Sequence, residues 1–183
     1  YHMRMKALVI CPASLRDMWG QELTEASIAH TIVSQEALGQ EDFDPYPFGD
    51  ADVVLIDESH NFRNKAANRY QNLETLLSLN GKKGRDGARK KVILLTATPI
   101  NNDLMDLYNQ INLITLGDRQ HFASAGIGDV YRYVLQARRD FNEGKGAQAL
   151  FNLLEEIVVR RTRAFIRKAY PEATLNGEKI TFP

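Results

Sequence analysis

Val53-Val54-Leu55-Ile56-Asp57-Glu58-Ser59-His60 decides the fold. Four aliphatic residues with no polar residue between them read as a strand covered on both faces, as in a parallel sheet flanked by helices. Two adjacent carboxylates then stand at the C-terminal end of that strand, the edge at which open α/β sheets bind ligands. Val92-Ile93-Leu94-Leu95-Thr96-Ala97-Thr98-Pro99 is built the same way and ends in two hydroxyls and a proline. Pro99 keeps Thr98 extended and stops the strand. Thr96 and Thr98 are therefore expected at the same sheet edge as Asp57 and Glu58, with both strands doubly covered.

Leu8-Val9-Ile10-Cys11-Pro12-Ala13-Ser14-Leu15 is a third strand running into a turn. Leu15, Met18, Trp19 and Leu23 follow at helical spacing, with Ser14 as the expected N-cap. Backbone amides at 14–16 would then form an anion-binding helix start. Residues 28–34 are another strand. Tyr70, Leu73 and Leu77 mark a helix ending near Asn80-Gly81, and Leu104, Leu107, Tyr108, Ile111 and Ile114 mark the next. Strands alternating with helices predict an α/β domain with a mostly parallel sheet. Beyond Gly117 the pattern turns helical, with Val130, Val134 and Phe141 on one helix. Leu150, Leu153, Leu154, Ile157 and Val158 lie on another, after a break at Gly144-Lys145-Gly146. The expected division is a tag remnant or linker over 1–5, a sheet lobe over 6–117, a helical subdomain over 118–159, and a basic block with an exit segment over 160–183. Residues 180–182 are a candidate last strand.

Composition narrows the function classes. Of 183 residues, 44% are hydrophobic and 25% charged, which is ordinary for a globular domain. Lys+Arg and Asp+Glu are both 23, so bulk charge does not draw the chain to nucleic acid, and any such contact must use local patches. Residues 36–58 hold eight acids and no Lys or Arg, whereas 81–91 hold six bases against Asp86. The glycines at 81, 84 and 87 give that basic stretch the character of a solvated loop. Cys11 is the single cysteine, so no disulfide can form within the chain and a cysteine-based zinc site is excluded. The aliphatic runs are too short to span a bilayer, and no membrane partner is expected. With no charged-then-apolar leader, the expected compartment is the cytoplasm, or the nucleus in a eukaryote.

Adjacent acids at a strand end suit a nucleotide triphosphatase. One holds Mg²⁺ through its waters, and the next polarises the water that attacks the γ-phosphate. Each feature also has a plain structural reading. Asp57-Glu58 can be a polar turn, Thr96 and Thr98 a strand exit, Trp19 core packing, and His60 a hydrogen-bonded structural histidine.

In order along the chain, these pieces resemble the Swi/Snf-like, RapA-like branch of the superfamily 2 helicases and translocases. Cys11-Pro12-Ala13-Ser14-Leu15 with Trp19 and Glu22 looks like that family's motif Ia. Asp57-Glu58-Ser59-His60 with Asn61-Phe62-Arg63-Asn64 looks like its DExH box, motif II. Leu94 through Asn102, then Leu104, Asp106 and Leu107, looks like motif III and its helix, and Val159-Arg160-Arg161-Thr162-Arg163 resembles the closing basic block. The resemblance implies a RecA-like lobe with a C-terminal helical insertion, belonging to an ATP-driven motor on double-stranded DNA. Carried over, Asp57 would hold Mg²⁺, Glu58 would activate water, and His60, Thr96 and Thr98 would couple nucleotide to DNA. Pro12, Ser14, Ser34 and Gln35 would lie near the DNA backbone, and Arg160 and Arg161 would form the basic block.

One element of the pattern is missing. No G-x-x-x-x-G-K-[ST] phosphate loop occurs, because Gly81-Lys82 has Leu76 five residues before the glycine and Gly144-Lys145 has Arg139. The expectation is therefore a piece of a larger enzyme. It would lack the phosphate loop and the second RecA-like lobe, would be inactive alone, and would hold no ATP or Mg²⁺ tightly. Self-association through the gap left by a missing central strand is a further expectation. Two other classes stay open: a non-catalytic DNA- or protein-binding module using 81–91 and 160–167, and a metal-dependent hydrolase built on Asp57, Glu58 and His60.

Overall fold

The computed structural model describes residues 5–79, 90–98, 103–145 and 148–159, together with 174–175 and 178–179. β1 (Ala7–Cys11), β2 (His30–Ser34), β3 (Val53–Ile56) and β4 (Lys91–Leu94) form an all-parallel sheet in the order β2-β1-β3-β4. A hairpin cannot join parallel neighbours, so helices lie in the connections. α1 (Arg16–Glu25) joins β1 to β2, the short α2 (Gln35–Leu38) follows β2, and α3 (Asn68–Ser78) lies between β3 and β4. The chain steps outward from β1 to β2, then returns to the far side of β1 for β3. The reversal falls between β1 and β3, and the C-terminal side of such a switch point is where this architecture places ligands.

Side-chain alternation sorts each strand onto two faces. Leu8, Ile10, Val33, Val54 and Ile56 pack with Leu38 of α2, with Tyr70, Leu73, Leu76 and Leu77 of α3, and with Phe62. Val9, Cys11, Ile32 and Leu55 on the opposite face meet Leu15, Trp19 and Leu23 around α1. The spacing of Tyr70, Leu73, Leu76 and Leu77 puts all four on the buried side of α3.

The expected double cover fails at β4. Ile93 is 45% exposed and Leu95 37%. Ile93 stands level with Leu55, yet on that face α1 packs with residues of β1, β2 and β3 only. β4 is also the last strand on its side of the sheet among the described residues. Because β3 and β4 pair directly, no gap separates the acidic strand from the threonine-bearing one. The gap expected beside these two strands is therefore not between them, and among the described residues the unpaired side is the outer edge of β4.

A second apolar cluster carries the helical part. α4 (Leu104–Thr115) contributes Leu104, Leu107 and Ile111, which pack with Ile127, with Val130, Val134 and Ala137 of α5 (Val130–Asn142), and with Leu153 of α6 (Gln148–Ile157). Leu113 on α4 belongs instead to the sheet core, so α4 serves both clusters and the expected boundary near 117 cuts behind it. Phe141, expected on the buried stripe, is 64% exposed. Asp103 and Asp129 cap α4 and α5 by accepting from the amides of Met105 (3.1 Å) and Arg132 (3.0 Å). Asp103 also pairs with Arg138 Nη2 at 2.6 Å, tying the start of α4 to α5.

Ser14 is not the helix cap. It lies in a 3-10 turn over Ala13–Leu15, and α1 begins without a side-chain cap. Lys90, the one described residue of the basic loop before β4, is half-buried, and its ammonium donates to the carbonyls of Gly49 and Ala51. Burial lowers its pKa. The rest of that loop, the basic block at Arg160 and Arg161, and 180–182 lie outside the described residues. β5 (Thr174–Leu175) and β6 (Glu178–Lys179) form a short antiparallel pair. No helix among the described residues is long and apolar enough to cross a membrane.

Two stability outcomes follow. Leu73→Ala, in the sheet core with no exposed surface, should lower stability by about 2–5 kcal/mol, while Ile93→Thr on the open face should change it by less than about 0.5 kcal/mol; denaturant melts compare them directly. Burial pushes Tyr70 up to about 12, so the folded state keeps a proton that the unfolded state loses near its ordinary value of 10. Stability from this source is complete below pH 10 and is lost as pH rises toward 12. Tyr70→Phe should flatten that alkaline loss in pH-dependent melts.

Candidate active site

Asp57 is the first residue beyond β3, and four hydrogen bonds hold it, three of them from other elements. Its amide donates to Ile10 O of β1 at 2.8 Å. Its carbonyl accepts from Gln35 Nε2 at 2.6 Å. Its Oδ1 accepts from the Glu58 amide at 2.8 Å, and its Oδ2 from Trp19 Nε1 at 2.9 Å. Each carboxylate oxygen keeps a further lone pair facing away from these donors.

Glu58 sits in the left-handed region at φ 45°, ψ 46°. A side chain with a Cβ is disfavoured there by roughly 1–2 kcal/mol, so the surroundings must enforce the turn. Those surroundings are visible. The next residues form a 3-10 turn over Ser59–Phe62. The Ser59 amide donates to Leu95 O at 2.9 Å, and Ser59 Oγ lies 3.2 Å from Gln110 Oε1 on α4. Asn61 Nδ2 donates to Gln35 Oε1 at 2.9 Å. Ser59 and Phe62 are fully buried.

The Glu58 carboxylate, 41% exposed, lies 3.2 Å from His60 Nδ1. Thr96 Oγ1 lies 3.4 Å from the same nitrogen and accepts from the Thr98 amide at 3.1 Å. The structure thus brings Asp57, Glu58, His60, Thr96 and Thr98 to one edge. Nδ1 carries at most one hydrogen, so it either donates toward Glu58 or accepts from the Thr96 hydroxyl.

The residues expected near DNA fare differently. Pro12 and the exposed Ser14 occupy the turn after β1. Within the expected row of amides at 14–16, the Leu15 amide donates to Pro12 O at 2.9 Å, and the neighbouring Ala13 amide donates to Glu36 Oε2 at 3.0 Å, so that row is partly closed. Ser34 Oγ accepts from the Ala37 amide at 3.1 Å and caps α2. Gln35 corrects the expectation most clearly. It is 3% exposed, and its amide is occupied by Asp57 and Asn61, which leaves it no access to a DNA backbone.

Sequence reasoning missed Gln35 and Gln110 as supports of the acidic turn, and it read Trp19 as core packing and as part of the motif Ia block, without a bond to Asp57. The last had a usable signal, because a tryptophan on an inward stripe needs an acceptor for its N–H. Cys11, at the end of β1, is fully buried. Burial first and the Asp57 charge second push its thiol up, so it stays protonated and is no nucleophile.

Hard carboxylate oxygens suit Mg²⁺, which takes one or two of them together with water and substrate phosphates. Among the described residues no three His, Cys, Asp or Glu side chains gather into a metal cage. A cation here would therefore depend on a nucleotide for its remaining ligands. The residues fit that role for Asp57, with Glu58 beside it, while the chain contains no phosphate-loop sequence to cradle the triphosphate.

Comparison with known proteins gives the family and the fold. A model of the SNF2-related domain matches residues 31–182. An uncharacterized ATP-dependent helicase of Bacillus subtilis, YqhH, is 27% identical over 141 residues, covering 64% of this chain and 22% of that protein. A RAD54-like DNA repair and recombination protein of Drosophila erecta is 29% identical over 126 residues, covering 65% of this chain and 14% of its own length. The chain thus spans less than a quarter of these relatives. The solved SWI2/SNF2 ATPase core of Sulfolobus solfataricus in complex with dsDNA superposes with a TM-score of 0.56 at 19% identity, over 87% of this chain and 34% of that one. That likeness shows the shared fold, a parallel sheet flanked by helices, and with the matching domain model it establishes that this chain belongs to the SNF2-related domain family.

Proposed function

We propose that this chain is the first RecA-like lobe of an SNF2-family motor that hydrolyses ATP and moves along double-stranded DNA. The observation that carries the reading is the convergence of Asp57, Glu58, His60, Thr96 and Thr98 on the C-terminal edge of β3 and β4, at hydrogen-bonding distances. The description of the archaeal structure as bound to dsDNA, and the DNA-repair name of the RAD54-like relative, support the choice of substrate.

Bound Mg-ATP supplies the electrophilic phosphorus and the charge-neutralising cation. Asp57 would hold Mg²⁺ through its waters, with the lone pairs that Trp19 and the Glu58 amide leave free. Glu58, lifted clear of the strand by its left-handed backbone, would take a proton from the water whose oxygen bonds to the γ-phosphorus as the β–γ bridging oxygen departs with ADP. His60 steadies the Glu58 carboxylate while Nδ1 carries the hydrogen. When Thr96 donates to Nδ1 instead, that hold is released, so the position of the 96–98 segment is read out at the water-activating group. Pro12 and Ser14 present the exposed turn that faces DNA. The phosphate cradle and the second lobe come from outside these residues.

In the full-length protein, Glu58→Gln should leave ATP binding largely intact and lower turnover by at least about 100-fold, the scale of a lost general base. Asp57→Ala should weaken Mg-ATP binding as well. Nucleotide-binding titrations beside steady-state turnover separate the two, and equal loss of affinity in both variants would contradict the division of roles. The 183-residue chain by itself should not turn over ATP; DNA-stimulated phosphate release from it, abolished by Glu58→Gln, would show that the cradle is not needed.

A further inference from the structure

Trp19 is the only tryptophan in the chain, and its ring does two things. One side packs with Val9, Cys11 and Leu23 on the α1 face of the sheet. Its Nε1 leaves that apolar cluster and donates to Asp57 Oδ2 at 2.9 Å. Packing alone needs no nitrogen, and phenylalanine or leucine would fill the same cluster.

We propose that Trp19 is a positioning residue for Asp57, its indole N–H fixing the carboxylate that faces the Mg²⁺ of bound nucleotide. The proposal rests on the reading of Asp57 given above. The other carboxylate oxygen is held by the Glu58 amide at 2.8 Å, so one donor on each oxygen sets the plane of the carboxylate. The Glu58 amide belongs to the turn itself and moves with it. Trp19 is anchored on a different element, α1, and refers the carboxylate to the body of the sheet. The choice of donor matters chemically. An indole N–H only donates and carries no charge, so it orients Asp57 and leaves the full negative charge for the cation. A lysine or arginine in its place would neutralise that charge and compete with Mg²⁺.

Two variants separate positioning from packing. Trp19→Phe keeps an aromatic ring and deletes the donor. Trp19→His loses more ring, but its Nε2 stands three bonds from Cβ, as indole Nε1 does, and restores an N–H. In the full-length protein at saturating ATP, Trp19→Phe should raise the Mg²⁺ concentration for half-maximal turnover by roughly two- to tenfold, the scale of one neutral hydrogen bond. Its kcat at saturating Mg²⁺ should be little changed, and Trp19→His should return the midpoint toward the parent value. An unchanged midpoint in Trp19→Phe overturns the proposal, and so does equal impairment of both variants alongside equal loss of melting temperature. A second readout needs no turnover. The single indole N–H resonance of the ¹⁵N-labelled chain should shift, and exchange faster with water, in Asp57→Ala. An unmoved resonance overturns the proposal and leaves the motor reading standing. Absence of Mg-dependent ATP hydrolysis in the parent protein overturns the motor reading, while the resonance still decides whether Trp19 holds Asp57.

Discussion

The Gln35 side-chain amide donates to the Asp57 carbonyl at 2.6 Å and accepts from Asn61 at 2.9 Å. A strand buried within a parallel sheet must find partners for its last backbone groups when it leaves the ladder, because an unpaired buried carbonyl costs about 1–3 kcal/mol. At the end of β3 the Asp57 amide still reaches Ile10 O of β1, but the Asp57 carbonyl finds its partner in a side chain. Gln35 supplies it from the first turn of α2, held there by the Ser34 cap, and its two bonds close the acidic turn into a ring. The left-handed Glu58 and the approach of its carboxylate to His60 depend on that closure.

Three more contacts reach the turn from other directions: Ile10 from β1, Leu95 beyond β4, and Gln110 from α4. A short polar segment is thereby fixed by rigid elements on every side except the one that stays open. Preorganisation of this kind places the carboxylates before any ligand arrives, so little rearrangement is needed at the moment of reaction. The same supports explain how an unfavourable backbone conformation survives in a four-residue turn.

Much of this was legible in the sequence. Uninterrupted aliphatic runs located β1, β3 and β4, while β2 was read from residues 28–34 although His30 and Thr31 break its run. Asp57-Glu58 and the two threonines could be assigned to one edge because parallel strands all end on the same side. Other features were not legible, for physical reasons. Ile93 and Leu95 look as apolar as Val54 and Ile56, and only the placement of α1 over the other strands leaves them bare. Ser14 resembles a cap, yet whether a hydroxyl caps depends on the backbone angle of its turn. Gln35 reads as an ordinary polar residue after a strand, and its burial becomes visible only when the turn at 57–61 folds over it. Lys90 belongs to a basic run, and nothing local reveals that two carbonyls wait for its ammonium.

α4 has one further consequence. Its Leu113 sits in the sheet core, while its Leu104, Leu107 and Ile111 sit in the helical cluster. A helix shared in this way cannot rotate about its axis without opening one core or the other, so its orientation is set by both clusters. Removing residues 118–159 would not trim an appendage. It would strip the cover from three leucine and isoleucine side chains and loosen the element that presents Gln110 to Ser59. Opening of α5 and α6 would bare Leu104, Leu107 and Ile111 on the same helix that carries Gln110 beside Ser59.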